Sequence, residues 1–561
     1  MIAELVLAVT TFANPLDVSY GLRTTDGKTF REAADPEIVT HAGRHWLFAS
    51  MCGRYFVSDD LAVWKGVESK DLPFEEYAPT VEEIGGALHF TARGGTVHRA
   101  VDLLSGVWER LPKKVRHTVD SALFRDDDGR LYVYWGGSDS KHPLFAVELD
   151  PQTFADRGKG VRMLEENSLR YGWEVRGHRN EITNRLSYIE GSHMAKRDGV
   201  YYFQYASPGT QFDTYSDTAM IGSAPLGPFV RQKLNPFSLK TSGYVTSAGH
   251  GKTFQDKVGN WWHVTTGLVG NEFFTERRLV MFPVFFDGDG EMWCDTAFSD
   301  WPIVVPDHKT DDPNDYHTGW MPLTYGKRVT ASSAFADTRP EAVVDESIRT
   351  FWSAVGSDGE WLEVDLGGPA DVCSIQLGFV DAGDVEKLAA PSCRRYRVEL
   401  RTGPDTWTTA LKEEQSCETE QPYRMLKSPV MADRLRVTCL SQPQGTRFAL
   451  REVRAFGRMD KPVPARLAGL SVIRDAADRR RAKVSWLPSA GATGYVLRYG
   501  PSPDKMHLSR LVRGSTAVEL RSLDSEQEYS WAVSAFNEAG LSSSECRSTD
   551  RRAVVHEVDG T

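Results

Sequence analysis

The chain has 561 residues, 40% of them hydrophobic and 25% charged, with 15 Trp and 26 Phe; at roughly 100–200 residues per domain it is too long for one core and divides into about three or four. That composition, free of long low-complexity tracts, excludes a disordered chain. A net charge of −11, with a single dense basic cluster ("DRRRAK", residues 478–483), excludes nucleic acid as a partner, because phosphate binding needs a concentrated basic face.

The chain opens on "MIAELVLAVTTFANP", a short apolar run without the basic start of a secretory signal and too short to span a bilayer. No signal peptide, transmembrane segment or membrane partner is expected in the chain as given, and the compartment stays open, extracellular or periplasmic if a signal was trimmed and otherwise cytoplasmic. The seven cysteines (52, 294, 373, 393, 417, 439, 546) show neither close pairing nor a C-x-x-C spacing, so free, mostly buried thiols are expected and zinc is not.

Strands come next. Short aromatic or alternating runs such as "HWLFAS", "ALHFTA", "LYVYWG", "VYYFQYA" and "WWHVTTG" are bounded by Gly, Asp and Asn, and helical periodicity is scarce, so the fold class is all-β. Five hairpins of one design recur between residues 30 and 270: a small or polar opening at Asp35, Ala78, Asp120, Glu190 or His250, a strand, a turn glycine eight or nine residues on, and an aromatic strand. Radial repetition of that kind predicts a five-bladed β-propeller. The residues that open the innermost strand of each blade face the central channel, so Asp35, Asp120, Glu190 and His250 are expected to converge at one end of it.

Past "WPIVVP", residues 307–321 read as a polar, proline-containing linker. A second β unit covers residues 322–458, residues 459–464 form another linker, and residues 465–558 carry about seven short strands with Trp486, Tyr495 and Tyr529, the pattern of an immunoglobulin-like β-sandwich. Nothing in the pattern bears on oligomeric state.

Residues 14–306 resemble glycoside hydrolase family 43 through motifs in that family's order: "ADP" (34–36), "SDDLAVW" (58–64), "YAPT" (77–80), "VDSALFRDDDG" (119–129), "EGSH" (190–193), "GSAPLGPF" (222–229) and "GHG" (249–251). Residues 322–458 resemble a discoidin-like (coagulation factor type C) β-sandwich through "ASSAFADTRPEAVVDESIRTFWSA", "EWLEVDLG" and "LREVRAFG", and the last unit resembles fibronectin type III.

The resemblance implies a carbohydrate substrate and assigns roles. Asp35 matches the general base, Glu190 the general acid and Asp120 the third carboxylate, which raises the acid's pKa and positions it. The chemistry needs such a pair, one carboxyl protonated to release the leaving oxygen and one charged to activate water. Glu190, beside an aromatic strand and near other acids, is where burial and like charge favour the protonated form. The family is inverting, which predicts a separation of about 6.5–9.5 Å between the Asp35 and Glu190 carboxyls. Ser121 and Ser192 stand where family members often have proline, a departure that bears on substrate class.

Aromatic side chains cover the apolar faces of sugars, and Trp46, Trp173 and Phe274 are candidates for that wall. Arg278 in "TERRL" resembles an arginine lining the family's pocket, with its neighbour Arg277 expected to hold structure. His193 either touches substrate or fills the channel wall. No cofactor is required; the resemblance allows a structural Ca2+, with His250 facing an ion through water and Asp345, in the "VVDESIRTFWS" segment with Thr350 and Trp352, in a calcium loop. The resulting expectation is an exo-glycosidase acting on terminal units of plant or microbial polysaccharides, foremost α-L-arabinofuranosidase or β-D-xylosidase, with β-D-galactofuranosidase or exo-galactanase as alternatives. The alternative of another class is a non-catalytic carbohydrate-binding or adhesion protein.

Overall fold

In a computed structural model, residues 9–25, 28–137, 143–383, 394–416, 420–542 and 546–549 are described. Every regular element among them is a strand, apart from three short 3-10 turns at Gly172–Glu174, Pro313–Tyr316 and Pro340–Val343, so the chain is all-β. Among the described residues no helix is long and apolar enough to cross a membrane.

Residues 34–67, 80–114 and 122–164 each form a four-stranded antiparallel sheet, and residues 190–231 and 246–294 form two more four-stranded groups joined by one parallel bridge, Ser216 to Ala248. The first strands of these groups lie side by side in sequence order, Ala34–His41 beside Thr80–Ile84, then Ala122–Arg125, Glu190–Arg197 and Thr246–Gln255, which returns to Ala34–His41.

The apolar core is divided accordingly, because a strand's alternate residues point to opposite faces and each sheet here has a neighbour on both. Phe48, Tyr55, Phe90 and Trp108 pack between the first and second sheets. Val97, Leu123 and Val133 fill the gap between the second and third, Phe124, Tyr134 and Phe203 the next, and Tyr202, Ala219 and Phe282 the one after. Leu47, Phe56, Trp262 and Met281 then join the fifth group to the first.

Residues 321–459 build an eight-stranded sheet around two 19-residue strands, Trp361–Phe379 and Tyr423–Ser441, over a core that includes Trp352, Val398 and Phe448. The C-terminal unit has two facing sheets, with Trp486, Tyr495, Tyr529 and Trp531 between them. The stretch at residues 307–321 is packed down: Tyr316 is buried against Trp262 and Phe285.

The three units touch one another. Phe298, Trp301, Phe456, Leu511 and Phe536 share one cluster, Arg170 pairs with Asp524 at 3.0 Å, and Leu511 N donates to Ser242 Oγ at 2.9 Å. Cys52, Cys294, Cys373 and Cys439 are buried free thiols; Cys393 and Cys417, the side chain of Cys546, residues 1–8 and the end of the C-terminal unit lie outside the described residues.

Candidate active site

The five repeated strands share a backbone feature at their heads. Asp35 (φ 48°), Ala78 (47°), Asp120 (45°), Gly191 (61°) and His250 (56°) are all left-handed. For a non-glycine residue that conformation costs roughly 1–3 kcal/mol and persists where the surrounding structure over-determines it.

The position equivalent to Asp35 in the fourth repeat is therefore Gly191, one residue beyond the expected Glu190. Counted from there, the turn glycines Gly43, Gly86 and Gly199 follow after eight residues and close two-residue turns between paired residues, such as Asp198-Gly199 between Arg197 and Val200. Both residues of such a turn take positive φ, as an Asp-Gly pair favours. Gly129 and Gly259 follow after nine and close five-residue turns. A Cβ at Gly191 would also stand 2.7 Å from Cγ of His250, so no other residue fits.

Asp35 is buried, 6% exposed. Ser50 Oγ donates to its Oδ2 at 2.7 Å and in turn accepts from Ala78 N at 2.7 Å, while Thr266 Oγ1 accepts from the Asp35 amide at 2.9 Å. Arg277 Nη1 donates to Oδ1 at 3.3 Å, and His250 Nδ1 lies 3.4 Å from the same oxygen. Burial pushes the carboxyl's pKa up, but Arg277, His250 and the Ser50 hydrogen bond outweigh it and hold the group below the usual carboxylate range.

Glu190 meets the opposite environment. Burial and the nearby Asp120 push its pKa well above the ordinary value, against a hydrogen bond donated by Tyr215 Oη that favours the charged form; Asp35 adds to the rise. Asp120 is also raised, chiefly by burial, with His250 opposing and Asp35 reinforcing, and it hydrogen-bonds Glu190. The Gly137 backbone lies against both, for a Cβ there would come within 3.3 Å of Glu190 Cβ and 3.4 Å of Asp120 Oδ2. Asp35, Asp120, Glu190 and His250 thus share one location, where the pKa of Asp35 is lowered and that of Glu190 raised.

Beneath them runs a second polar layer. Glu37 accepts from Lys252 Nζ at 2.8 Å and Val81 N at 3.0 Å, and buried His193 points Nε2 at it from 3.6 Å. Burial pushes Glu37 up, but Lys252 and His193 bring it down to about 2. His193 thus sits in this layer against Glu37. Asp217 accepts from the amides of His250 and Gly251, both at 2.9 Å, and from His263 Nε2 at 2.8 Å, fixing the turn that presents His250.

Two expected pocket residues, Trp46 and Arg278, face away from the carboxylates, and Trp173 is buried. Trp46 is core: it is 2% exposed, packs on Tyr55 at 6.1 Å between centroids and donates its indole N–H to His41 O, because its position in the strand faces the neighbouring sheet. Trp173 is buried on Tyr171, in the turn whose Gly172 amide donates to Leu523 O of the C-terminal unit. Arg278 points away from Asp35, fully buried between Glu276 and Glu420, and its neighbour Arg277 takes the place expected of it. Adjacent residues of a strand face opposite sides, so only one of the pair reaches the carboxylates.

Phe274 is 63% exposed on a loop, its ring tilted against Phe273, which itself stacks on Phe30. Tyr215, Ser50, Thr266 and the half-exposed Tyr77, whose ring centroid is 6.0 Å from the Arg277 guanidinium carbon, were not singled out in the sequence. Tyr77 had a signal, since it begins the "YAPT" motif. The others sit on second strands or connections and carried none.

Among the described residues no group of three or more His, Cys, Asp or Glu side chains is arranged to hold a metal ion. Asp345 accepts from Thr350 Oγ1 at 2.9 Å and Ser347 N at 3.0 Å, closing its own loop.

Residues 17–292 match the model for Glycosyl hydrolases family 43, and residues 328–453 match the F5/8 type C domain. The first part of the chain is thus similar to glycosidases of that family, and the part after it to discoidin-like domains. Among curated relatives, the Beta-D-galactofuranosidase xynD of Aspergillus niger is 22% identical over 299 residues, covering 46% of this chain and 81% of that protein. A Xylan 1,3-beta-xylosidase of a Vibrio species is 24% identical over 216 residues, covering 36% and 37%. A solved glycoside hydrolase structure is 18% identical, covers 75% of this chain and 97% of its own, and superposes with a TM-score of 0.44.

Proposed function

We propose that the protein is an inverting exo-glycosidase that hydrolyses terminal glycosidic bonds of polysaccharides or oligosaccharides, with its site at the axis of a five-bladed β-propeller and a fibronectin type III unit at the C-terminus. The observation that carries it is the opposed polarisation of two neighbouring carboxyls: Arg277, His250 and Ser50 favour ionised Asp35, whereas burial and Asp120 favour protonated Glu190. A surface that only binds sugar has no use for that asymmetry.

In this reading the Glu190 proton passes to the glycosidic oxygen as its bond to the anomeric carbon breaks. Asp35 takes a proton from a water molecule that attacks the same carbon from the opposite face, so the product has inverted configuration. Asp120 raises the acid's pKa and orients it. Tyr77, whose ring lies against Arg277, and the exposed loop residue Phe274 supply apolar surface for the sugar ring. No cofactor is required; contacts of His250 and Asp345 with calcium rest on the family resemblance, and no step is routed through them.

The sugar removed is an α-L-arabinofuranosyl, β-D-xylosyl or β-D-galactofuranosyl unit, the xylosidase and galactofuranosidase relatives supporting the last two. The test is a panel of nitrophenyl arabinofuranoside, xyloside, galactofuranoside and galactoside, with proton NMR of the first-formed sugar. Release from at least one, with inversion, is expected. Retention would remove the water-activating role of Asp35, and silence on all of them and on natural oligosaccharides would leave a carbohydrate-binding protein.

A further inference from the structure

The arginine that touches Asp35 is held from outside the domain that carries it. Strand Lys28–Glu32 runs beside strand Arg277–Phe286, and each presents two adjacent charged residues: Arg31 and Glu32 on one, Arg277 and Arg278 on the other. All four are buried, at 8%, 3%, 4% and 0% exposure.

Alternation divides them. Glu32 and Arg277 face inward, where Arg277 Nη2 meets Glu32 Oε1 at 2.6 Å and Nη1 meets Asp35. Arg31 and Arg278 face outward, towards Glu420 of the F5/8 type C unit, whose Oε2 accepts from Arg278 Nη2 at 2.7 Å and whose Oε1 lies 3.2 Å from Arg31 Nε. Arg278 Nη1 also donates to the Arg31 carbonyl, so Glu420 grips both strands directly behind the Glu32–Arg277 pair.

Among the described residues the other carboxylates at this junction are already shared. Arg31 has Asp381 at 2.7 Å, Asp381 pairs also with Arg394, and Glu276 is shared by Arg278 at 3.1 Å and Arg451 at 3.3 Å. Removing one carboxylate from such a buried set leaves a cation uncompensated, and the strands that carry it move to find water or another partner.

We propose that Glu420 is a positioning residue for the base Asp35, acting through Arg278, Arg31 and the Glu32–Arg277 pair, so that the discoidin-like unit completes the active site of its neighbour. This rests on the glycosidase reading above. Without Glu420 the guanidinium of Arg277 loses its fixed place, Asp35 is held less firmly in its ionised form, and the acid limb of the pH profile moves to higher pH.

The experiment uses the full chain with Glu420→Gln, and Tyr423→Phe as a control that removes a different contact across the same interface, the 2.8 Å bond between Thr11 Oγ1 and Tyr423 Oη. For Glu420→Gln the expected result is a fall in kcat on the order of tenfold to a hundredfold, little change in KM, and an acid limb displaced upward. For Tyr423→Phe the limb stays in place. A limb that stays put in Glu420→Gln, or moves to lower pH as loss of a distant negative charge alone would make it, overturns the proposal.

A double-mutant cycle on thermal unfolding, pairing Glu420→Gln with Arg277→Met, reads the clamp without reference to activity. The two residues do not touch, so additive effects are the result of independence and overturn the clamp. Non-additive effects in a protein silent on every glycoside would count against the glycosidase reading alone.

Discussion

The Tyr215 hydroxyl donates a hydrogen bond to Oε1 of Glu190, a contact that favours the charged form of a carboxyl otherwise pushed towards neutrality. It opposes that rise without cancelling it. In Tyr215→Phe the carboxylate loses that donor, so the pKa of Glu190 rises further and the basic limb of kcat/KM moves to higher pH. A limb that moves down, or does not move, would show that Glu190 is not the group titrating there.

Glu190→Gln removes the transferable proton and keeps the shape. Activity on the glycoside that the wild type cleaves should fall by about 10²- to 10⁴-fold, the usual contribution of a general acid, with an unchanged far-ultraviolet circular dichroism spectrum. Asp35→Asn should do the same.

Arg277→Met takes away the cation at 3.3 Å from Asp35 and strands Glu32. In the proposed mechanism the pKa of Asp35 rises and the acid limb shifts upward. Stability should fall by about 3–5 kcal/mol, because one member of a buried pair is left uncompensated. Denaturant unfolding and a pH–rate profile measure the two effects on one preparation.

Glu37 is held at about 2 in the folded protein by Lys252 and His193, below an ordinary value of 4.5. A carboxylate with a depressed folded pKa stabilises the fold fully above its unfolded pKa and loses that contribution as pH falls through the folded value. Wild-type stability should therefore decline between about pH 4.5 and pH 2, and Lys252→Met should flatten that part of the curve while lowering stability at neutral pH. Urea midpoints measured across the range decide it.

Trp46→Ala should cost about 3–5 kcal/mol of stability, as for a buried aromatic residue, and leave the KM of the remaining folded enzyme alone. Tyr77→Ala is expected to do the reverse, raising KM with little loss of stability. The two variants separate core from sugar wall.

Much of this was legible before any coordinates. Period-two aromatic runs and turn glycines at a spacing of eight or nine are local matters of strand and turn chemistry, and they marked five hairpins and the acids at their heads. Such a pattern reports a period, not a phase. Whether Arg277 or Arg278 faces the acids, whether Trp46 faces sugar or a neighbouring sheet, and whether Glu190 or Gly191 holds the left-handed turn all depend on which side of a strand meets which neighbour. Register and packing decide that, and a shift of one residue reverses it.

The chain's own letters determined the all-β class, the repeated hairpins and the acids that open three of them, because each follows from residue types within a dozen positions of one another. Only the tertiary structure decided which arginine lies against Asp35 and how Glu420 reaches in behind it. Electrostatics acts through space between residues as far apart as Asp35 and Arg277, or Arg31 and Glu420, and no local pattern encodes such a meeting.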